Sequence, residues 1–290
     1  MENKLKEKIG FIGQGWIGKN YADDFEKRGF KVMRYSLEEP YKKNIDEIKT
    51  CDIVFIAVPT PTEPDGFKDS AVRDAIKGVG FGKIAVIKST ILPGTTEKIQ
   101  MENPKIYVVH SPEFLKEKTA AHDASNPERN IIGIPKDTEE YKEVAKKVLS
   151  VLPKAPFESI CQAKEAELIK YAGNSFLYLK VLYANLLFDL SEKLGCDWDV
   201  VKQAFGADKR IGYSHMDPLA GGRGAGGHCF IKDFAAFVSF YEKNVNDVTG
   251  SSYLRKAEQK NVELLLSSNK NIDLAEKIYE NKLKEWRTKN

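Results

Sequence analysis

The chain has 290 residues, 42% of them hydrophobic and 30% charged, with a formal net charge of +3. That length supports two domains with cores of ordinary size, and that composition excludes a disordered or fibrous chain. The lysines are spread rather than blocked, which removes the electrostatic case for nucleic acid or an anionic membrane surface as a partner.

The N-terminal stretch "MENKLKEKIGFIG" has no long apolar run behind its charges, so no signal peptide is expected, and no apolar segment reaches spanning length. The cysteines, Cys51, Cys161, Cys196 and Cys229, are far apart. They point to reduced thiols in a cytoplasmic compartment rather than a disulfide framework, and the scattered histidines predict no metal site.

Short apolar runs alternate with amphipathic stretches through the first half. Strands are predicted in "KIGFIG" from Lys8, "FKVMRY" from Phe30, "DIVFIAV" from Asp52, "KIAVIKS" from Lys83, "KIYVVH" from Lys105 and "NIIGI" from Asn130. Their continuous apolarity suits strands buried on both faces. Helices are predicted between several of them, at 17–27, 70–78 and 95–101, with another at 137–150. This alternation predicts an α/β fold with a Rossmann-like, doubly wound parallel sheet over residues 1–160. After Pro153 and Pro156 the period changes, and residues 161–290 read as an all-helical domain. Residues 163–194 read as one long helix, about 45 Å at the standard rise, with Leu168, Ala172, Phe176, Leu179, Leu182, Leu186 and Leu190 at helical spacing. Its long apolar face predicts a homodimer. The tail from Asn271 reads as a charged amphipathic helix.

The first strand-to-helix turn, "GFIGQGWIG", places Gly13, Gly15 and Gly18 in G-x-G-x-x-G spacing. The first glycine allows the tight turn, the second lets the backbone approach a pyrophosphate, and the third lets helix and strand pack closely. The helix N-terminus adds N–H donors and positive dipole. A dinucleotide cofactor is therefore expected. The second strand lacks the acidic residue that usually meets the adenosine ribose: Ser36 stands there. Glu38 or Glu39 offers a substitute acid, which favours NAD, whereas Arg34 with Ser36 suits the 2′-phosphate of NADP, which stays open.

Three polar loops follow strands at the carboxyl edge of the predicted sheet, where ligands bind in such folds. "VPTPTEPDG" carries Val58, Pro59 and Thr60; "KSTILPGTT" carries Thr90; "HSPEFLKE" carries Glu113. On the long helix, "EAELIKYAGNSF" sets Lys170 and Asn174 four residues apart on one face. Finally, "GGRGAGGHCFIKD" places Cys229 at the end of a glycine-rich loop, where a helix is expected to begin, with Asp233 one turn further on. A helix N-terminus favours a thiolate.

Together with "DKRIG", these segments resemble the UDP-glucose/GDP-mannose dehydrogenase family, in the family's order and at similar spacing over residues 8–265. The resemblance implies an NAD-dependent oxidation of a primary alcohol on a nucleotide sugar to the carboxylate, by two hydride transfers. It assigns Cys229 as the nucleophile that captures the aldehyde as a thiohemiacetal and then a thioester. Lys170 and Asn174 stabilise negative charge on the substrate oxygen, Asp233 relays protons through a water held with Thr90, and Glu113 acts in thioester hydrolysis. For the cofactor it implies Gly13, Gln14, Gly15, Trp16, Ile17, Gly18, Ser36, Val58, Pro59, Thr60, Thr90, Glu117 and Lys232. For the substrate it implies Glu113, Phe114, Leu115, Lys116, Lys170 and Asn174, with Arg210 reaching a partner subunit's site and Gly222, Gly224 and Gly226 wrapping the hexose. Two departures are His228, where the family usually has serine, and Ser111, where asparagine is common. A third is the family's further nucleotide-binding domain, which these 290 residues do not include; the expectation is that a second chain holds the nucleotide or that the substrate is smaller. Two other readings stand beside this one: a β-hydroxyacid-type dehydrogenase with a single hydride transfer, and a non-catalytic dinucleotide-binding relative.

Overall fold

The computed structural model describes residues 7–219 and 221–287. In chain order the first elements are β1 (Ile9–Ile12), α1 (Trp16–Lys27), β2 (Val32–Tyr35), α2 (Ile45–Ile48), β3 (Ile53–Ile56), the two-residue strands β4 (Thr62–Glu63) and β5 (Gly66–Phe67), and α3 (Ser70–Ile76). Then come β6 (Ile84–Ile87), α4 (Thr95–Glu102), β7 (Tyr107–His110), α5 (Ala120–Ser125), β8 (Arg129–Ile134), α6 (Glu139–Val151) and β9 (Phe157–Gln162). The rest is helical: α7 (Ala163–Leu194), α8 (Trp198–Ala207), α9 (His228–Asn244), α10 (Val248–Ser267) and α11 (Ile272–Arg287). The chain divides into two compact units. Unit 1 runs to Pro61 and resumes over Lys68–Lys170; unit 2 comprises Thr62–Phe67 and the chain from Tyr171 onward. The division therefore falls inside α7, ten residues beyond the position read from the change of period.

Unit 1 is a seven-stranded sheet in the order β2-β1-β3-β6-β7-β8-β9. The central strands are continuously buried because the chain crosses from strand to strand through helices that cover the faces. Every pairing is parallel except β7 with β8, which meet antiparallel at His110 and Gly133. The doubly wound parallel sheet read from the sequence is present, with this one antiparallel step within it. The connection, residues 111–128, holds a 3-10 turn at Glu117–Thr119 and the six-residue α5, and it delivers the chain to β8 from the opposite direction. Strand β9 escapes sequence reading because it is a half-exposed edge strand that mixes polar and apolar residues without a continuous apolar run. The core is built around Phe11, Phe25 and Phe55, with Phe11 stacked on Phe55 at 5.0 Å and edge-on to Phe25 at 5.5 Å.

Unit 2 packs α9, α10 and α11 with the second part of α7, and the β4–β5 hairpin lies against α9 and α11. Tyr178 of α7 stacks on Phe234 of α9 at 3.9 Å. Ile231 and Ala235 meet Val262, Leu265, Ala275, Ile278, Tyr279 and Leu283 on the other side of α9. The predicted long helix is present at its predicted length, but its apolar residues serve two faces. Tyr178 and Leu182 are buried, while Phe176, Tyr183, Leu186, Leu190 and Leu194 are exposed. Helix α11 supplies the predicted amphipathic tail and is kinked at Tyr279; its last predicted residues, 288–290, lie outside the described residues. Among those described, no helix is long and apolar enough to cross a membrane.

Candidate active site

The glycines of the first turn separate by what each would meet. Gly13 has φ of 92°, and a Cβ there would sit 2.2 Å from the Ala57 carbonyl oxygen; a Cβ on Gly18 would sit 2.0 Å from the Gly13 carbonyl oxygen. Both are required by the packing of β1, α1 and β3. A Cβ on Gly15 meets nothing within 4 Å. Gly15 is also the N-cap of α1 and offers no side-chain cap, so the first N–H groups of the helix are left for an anion. Open space at the second glycine and an uncapped helix start fit a dinucleotide pyrophosphate. Ile17 packs on the core of the unit, and Trp16 is partly exposed.

At the end of β2, Ser36 Oγ donates to the Glu38 carbonyl at 2.7 Å. Arg34, the residue that suited a 2′-phosphate, is buried and already engaged. Its guanidinium donates to both oxygens of Glu26, at 3.0 and 2.7 Å, to Asp23 at 2.7 Å and to Gln14 Oε1 at 3.3 Å. Two carboxylates already neutralise this one cation, and they would repel a further phosphate. The geometry favours NAD over NADP.

The three polar loops are knitted together within unit 1. Val58 exchanges hydrogen bonds with Ser89, its N–H donating to Oγ at 2.9 Å and its carbonyl accepting at 2.7 Å. Thr60 Oγ1 donates to the Thr90 carbonyl at 2.8 Å, and both threonines are buried. Pro59 lies between these two ties. Glu113 is buried, and its carboxylate accepts from the Leu115 N–H and from Lys170 Nζ, each at 2.8 Å. Lys170 also donates to the Glu113 carbonyl at 2.8 Å. Phe114 carries the Arg129 guanidinium over its ring at 3.7 Å. Lys116 and Glu117 are exposed, and the Lys116 N–H donates to Asp123.

Two charged residues that sequence reading missed stand with this group. Lys88, from the "KST" segment, is 3% exposed; its ammonium donates to Ser111 Oγ at 3.1 Å and lies 4.4 Å from the Tyr21 ring centroid. Burial lowers its pKa to about 7, against a partly offsetting pull from Glu113. The same burial, aided by Lys88, pushes His110 down to about 3, and neither of its ring nitrogens has a hydrogen-bond partner. Glu167, on α7, is fully buried. It accepts from the Gly94 N–H at 2.6 Å, the Thr96 N–H at 2.8 Å and Thr96 Oγ1 at 2.6 Å, and so caps α4 from a distant element. Burial pushes its pKa up to about 7 although these three bonds pull the other way. Lys88 follows the apolar run of β6, and Glu167 stands in a stretch with Lys164, Glu165 and Lys170, so neither charge stood out in the sequence.

In unit 2, Cys229 is exposed and is the second residue of α9, directly after the His228 that begins the helix. None of the four cysteines is in a disulfide. Asp233, one turn on, is buried. Its carboxylate accepts from Asn174 Nδ2 at 2.6 Å and pairs with Lys232. Lys170 and Asn174 therefore turn to different partners, Glu113 and Asp233. Lys232 is tied down further through its carbonyl, which accepts from Thr62 Oγ1 of the hairpin at 3.0 Å. Arg210 is exposed and forked onto Asp208 at 2.6–3.1 Å. Its loop is held by Lys180, whose ammonium donates to the carbonyls of Ile211 at 2.7 Å and Gly212 at 3.2 Å.

The glycine-rich loop has left-handed φ at Gly221, Gly222, Gly224 and Gly227. A Cβ on Gly222 would meet Ser268 Oγ at 3.0 Å, on Gly224 would meet Asn261 Oδ1 at 2.9 Å, and on Gly226 would meet Asn271 Oδ1 at 2.5 Å. These three glycines are accounted for by close approach to α10 and the turn after it. Asn261 bonds both the N–H and the carbonyl of Ala225, at 2.7 and 3.0 Å, while Asn185 accepts from Arg223 and from the Gly224 N–H.

Residues 33–152 match the profile described as UDP-glucose/GDP-mannose dehydrogenase family, NAD binding domain, and residues 164–263 match the family's central domain. The chain belongs to this family. It is 33% identical to a UDP-glucose 6-dehydrogenase of Rickettsia bellii over 84% of this chain and 56% of that protein. A UDP-glucose dehydrogenase structure from Pyrobaculum islandicum superposes with a TM-score of 0.76 at 29% identity, over 89% of this chain and 69% of that one. A Mycobacterium tuberculosis 3-hydroxyisobutyrate dehydrogenase shares the fold, with a TM-score of 0.68 at 16% identity over 88% of this chain and 93% of that one. Among the curated relatives it matches, the chain spans 35% of an uncharacterized Methanocaldococcus jannaschii protein and 56% of the Rickettsia enzyme. The NAD-binding profile begins after the Gly13–Gly18 turn, so the role of that turn rests on the geometry given above.

Proposed function

We propose that this chain performs the 6-oxidation of a nucleotide sugar such as UDP-glucose, taking the primary alcohol to the carboxylate. The observation that carries this reading is the placement of Cys229. It is an exposed thiol in the first turn of α9, where the N–H groups and dipole of the helix favour a thiolate. NAD, bound at the first turn, supplies the hydride acceptor for both oxidation steps. After the first step the Cys229 sulfur adds to the aldehyde carbon, and the carbonyl oxygen takes up a proton to give a thiohemiacetal. Loss of a hydride and the hydroxyl proton leaves a thioester. Water adds to the thioester carbon, the C–S bond breaks, and the carboxylate leaves with the thiol restored. The sum is one alcohol, two NAD and one water giving one carboxylate, two NADH and three protons.

Asp233, desolvated and held by Asn174 and Lys232, is fixed to accept or return a proton near the start of α9. Glu113 and Lys170 form the corresponding acid–base pair of unit 1. We assign Thr90 to holding a water and Arg210 to the site of a second subunit. The exposed stripe from Phe176 to Leu194 supports a homodimer, since burying it elsewhere would remove a large apolar face from water. A reducing, cytoplasmic setting keeps Cys229 a thiol.

The test is stoichiometry. The wild-type chain with UDP-glucose is expected to yield two NADH per sugar, and Cys229→Ala to lose the second. Cys229→Ala with full turnover and two NADH per sugar refutes the thioester route. One NADH per substrate in the wild type supports a single-hydride enzyme instead.

A further inference from the structure

The turn between α10 and α11 lies beyond the residues matched by the central-domain profile. It is built with care nonetheless. Asn269 and Asn271 take left-handed φ of 55° and 50° on either side of Lys270, a conformation that asparagine tolerates better than most residues with a side chain. Lys270 Nζ donates to the carbonyls of Gly222 at 2.9 Å and Gly224 at 3.0 Å. Ser268 Oγ accepts from the Arg223 N–H at 2.8 Å, and Asn271 Oδ1 accepts from the Gly227 N–H at 2.9 Å. Gly227 is the N-cap of α9, two residues before Cys229.

A loop so rich in glycine has no conformational preference of its own, because glycine populates positive and negative φ about equally. Something outside the loop must choose its path, or the thiol at its end samples many positions. The 268–271 turn does this from one side, contacting the backbone at Gly222, Arg223, Gly224 and Gly227. Lys270 is the notable member. Its ammonium is half-buried and its bonds go to neutral carbonyls, so burial lowers its pKa. An uncharged side chain would hold the same carbonyls more weakly, since hydrogen bonds from an ionised donor are roughly twice as strong.

We infer that Lys270, with Asn271, is a positioning residue for Cys229, fixing the glycine-rich loop and the start of α9 so that the thiol is presented in one geometry. This rests on the reading of Cys229 as nucleophile. The test compares wild type with Lys270→Met, Lys270→Arg and Asn271→Gly. Three quantities are followed: hydrogen exchange of residues 221–230, the pH profile of Cys229 alkylation by iodoacetamide with exposed Cys196 as internal control, and turnover with UDP-glucose and NAD. In Lys270→Met the loop amides are expected to exchange at least tenfold faster with α7 unchanged. The Cys229 alkylation midpoint should shift while that of Cys196 does not. Turnover should fall at least tenfold with KM for NAD within twofold, and Lys270→Arg should recover most of these losses. Loop exchange and Cys229 alkylation equal to wild type would overturn the inference. So would a uniform loss of protection that Lys270→Arg does not repair, since that marks a merely structural role. Should Lys270→Met fail to fold, Asn271→Gly removes the side-chain bond to Gly227 and leaves the left-handed φ accessible, and it is judged by the same readouts. A wild-type chain that makes no NADH counts against the dehydrogenase reading; the exchange and alkylation results then decide the positioning question alone.

Discussion

Replacing Lys88 with methionine removes a buried cation and keeps a side chain of similar length. Lys88 is 3% exposed, with Ser111 Oγ as its hydrogen-bond acceptor and the Tyr21 ring beneath it. Its pKa is lowered from 10.5 to about 7 by burial. Between those two values the unfolded chain binds the proton and the folded chain does not, so this group makes stability rise with pH. At pH 6 the lysine is charged in both states, and the folded state carries a penalty of at most about 5 kcal/mol. By pH 9 the folded state has released its proton, and about 3 kcal/mol of that penalty has gone. Lys88→Met carries no such penalty at any pH. Its loss of the Ser111 bond, about 1 kcal/mol, is the same at both ends. The unfolding free energy of the variant relative to wild type is therefore expected to be highest at pH 6 and to shrink by about 2–3 kcal/mol by pH 9. Urea denaturation followed by tryptophan fluorescence at both pH values measures this. His110, pushed down to about 3, stays neutral throughout, and Glu167, pushed up to about 7, titrates in both proteins and cancels. A difference between the proteins that is equal at pH 6 and pH 9 refutes the reasoning.

Glu167→Ala leaves the Gly94 and Thr96 N–H groups buried without an acceptor; a loss of about 2–4 kcal/mol in unfolding free energy is expected by urea denaturation, and a loss below 0.5 kcal/mol would show that water replaces the cap. Gly15→Val places its side chain where a Cβ meets nothing within 4 Å, so the melting temperature should hold while the Kd for NAD rises at least tenfold, about 1.4 kcal/mol, by calorimetric titration. Gly13→Ala, with φ of 92° and the Ala57 carbonyl oxygen 2.2 Å from the new Cβ, should instead lose about 3 kcal/mol of stability; equal behaviour of the two variants would refute the division of labour in the turn. Arg34→Ala frees Asp23 and Glu26, and is expected to leave the preference for NAD over NADP intact, as measured by the ratio of kcat/KM for the two cofactors.

What the sequence disclosed was local. The Gly13–Gly18 turn places all its chemical demands within six residues, and the start of α9 at His228 follows from a glycine-rich run meeting a helical period. The central strands announced themselves by continuous burial. Strand β9 did not, because a half-exposed edge strand of mixed residues lacks that signal. The antiparallel entry of β8 is set by how the 111–128 connection folds, which no periodicity reports. The glycines at 222, 224 and 226 were legible as a flexible loop, but their reason was not: the atoms that exclude a Cβ belong to residues 261–271, about forty positions away. Lys88 and Glu167 were not legible, because a charge at a strand end or in a mixed helical stretch carries no mark of its partner.

Three of the segments that bear the candidate chemistry share one construction. Each is backbone with little structure of its own, and each is fixed by a charged side chain from a distant element. Glu167 holds the loop after Thr90 through Gly94 and Thr96, Lys180 holds the loop after Arg210 through Ile211 and Gly212, and Lys270 holds the loop before Cys229 through Gly222 and Gly224. In all three, burial displaces the pKa toward the neutral form, upward for Glu167 and downward for the two lysines. A group that only filled space would be more stable as an apolar residue, since desolvating a charge is unfavourable. Retaining a charge in each place makes sense where several backbone groups must be held in one arrangement, because an ionised group with more than one donor or acceptor site can satisfy them together. The mutational signature expected of Lys180 and Lys270 is a loss of turnover larger than the loss of stability, whereas Glu167, which caps a buried helix start, is expected to cost stability as well.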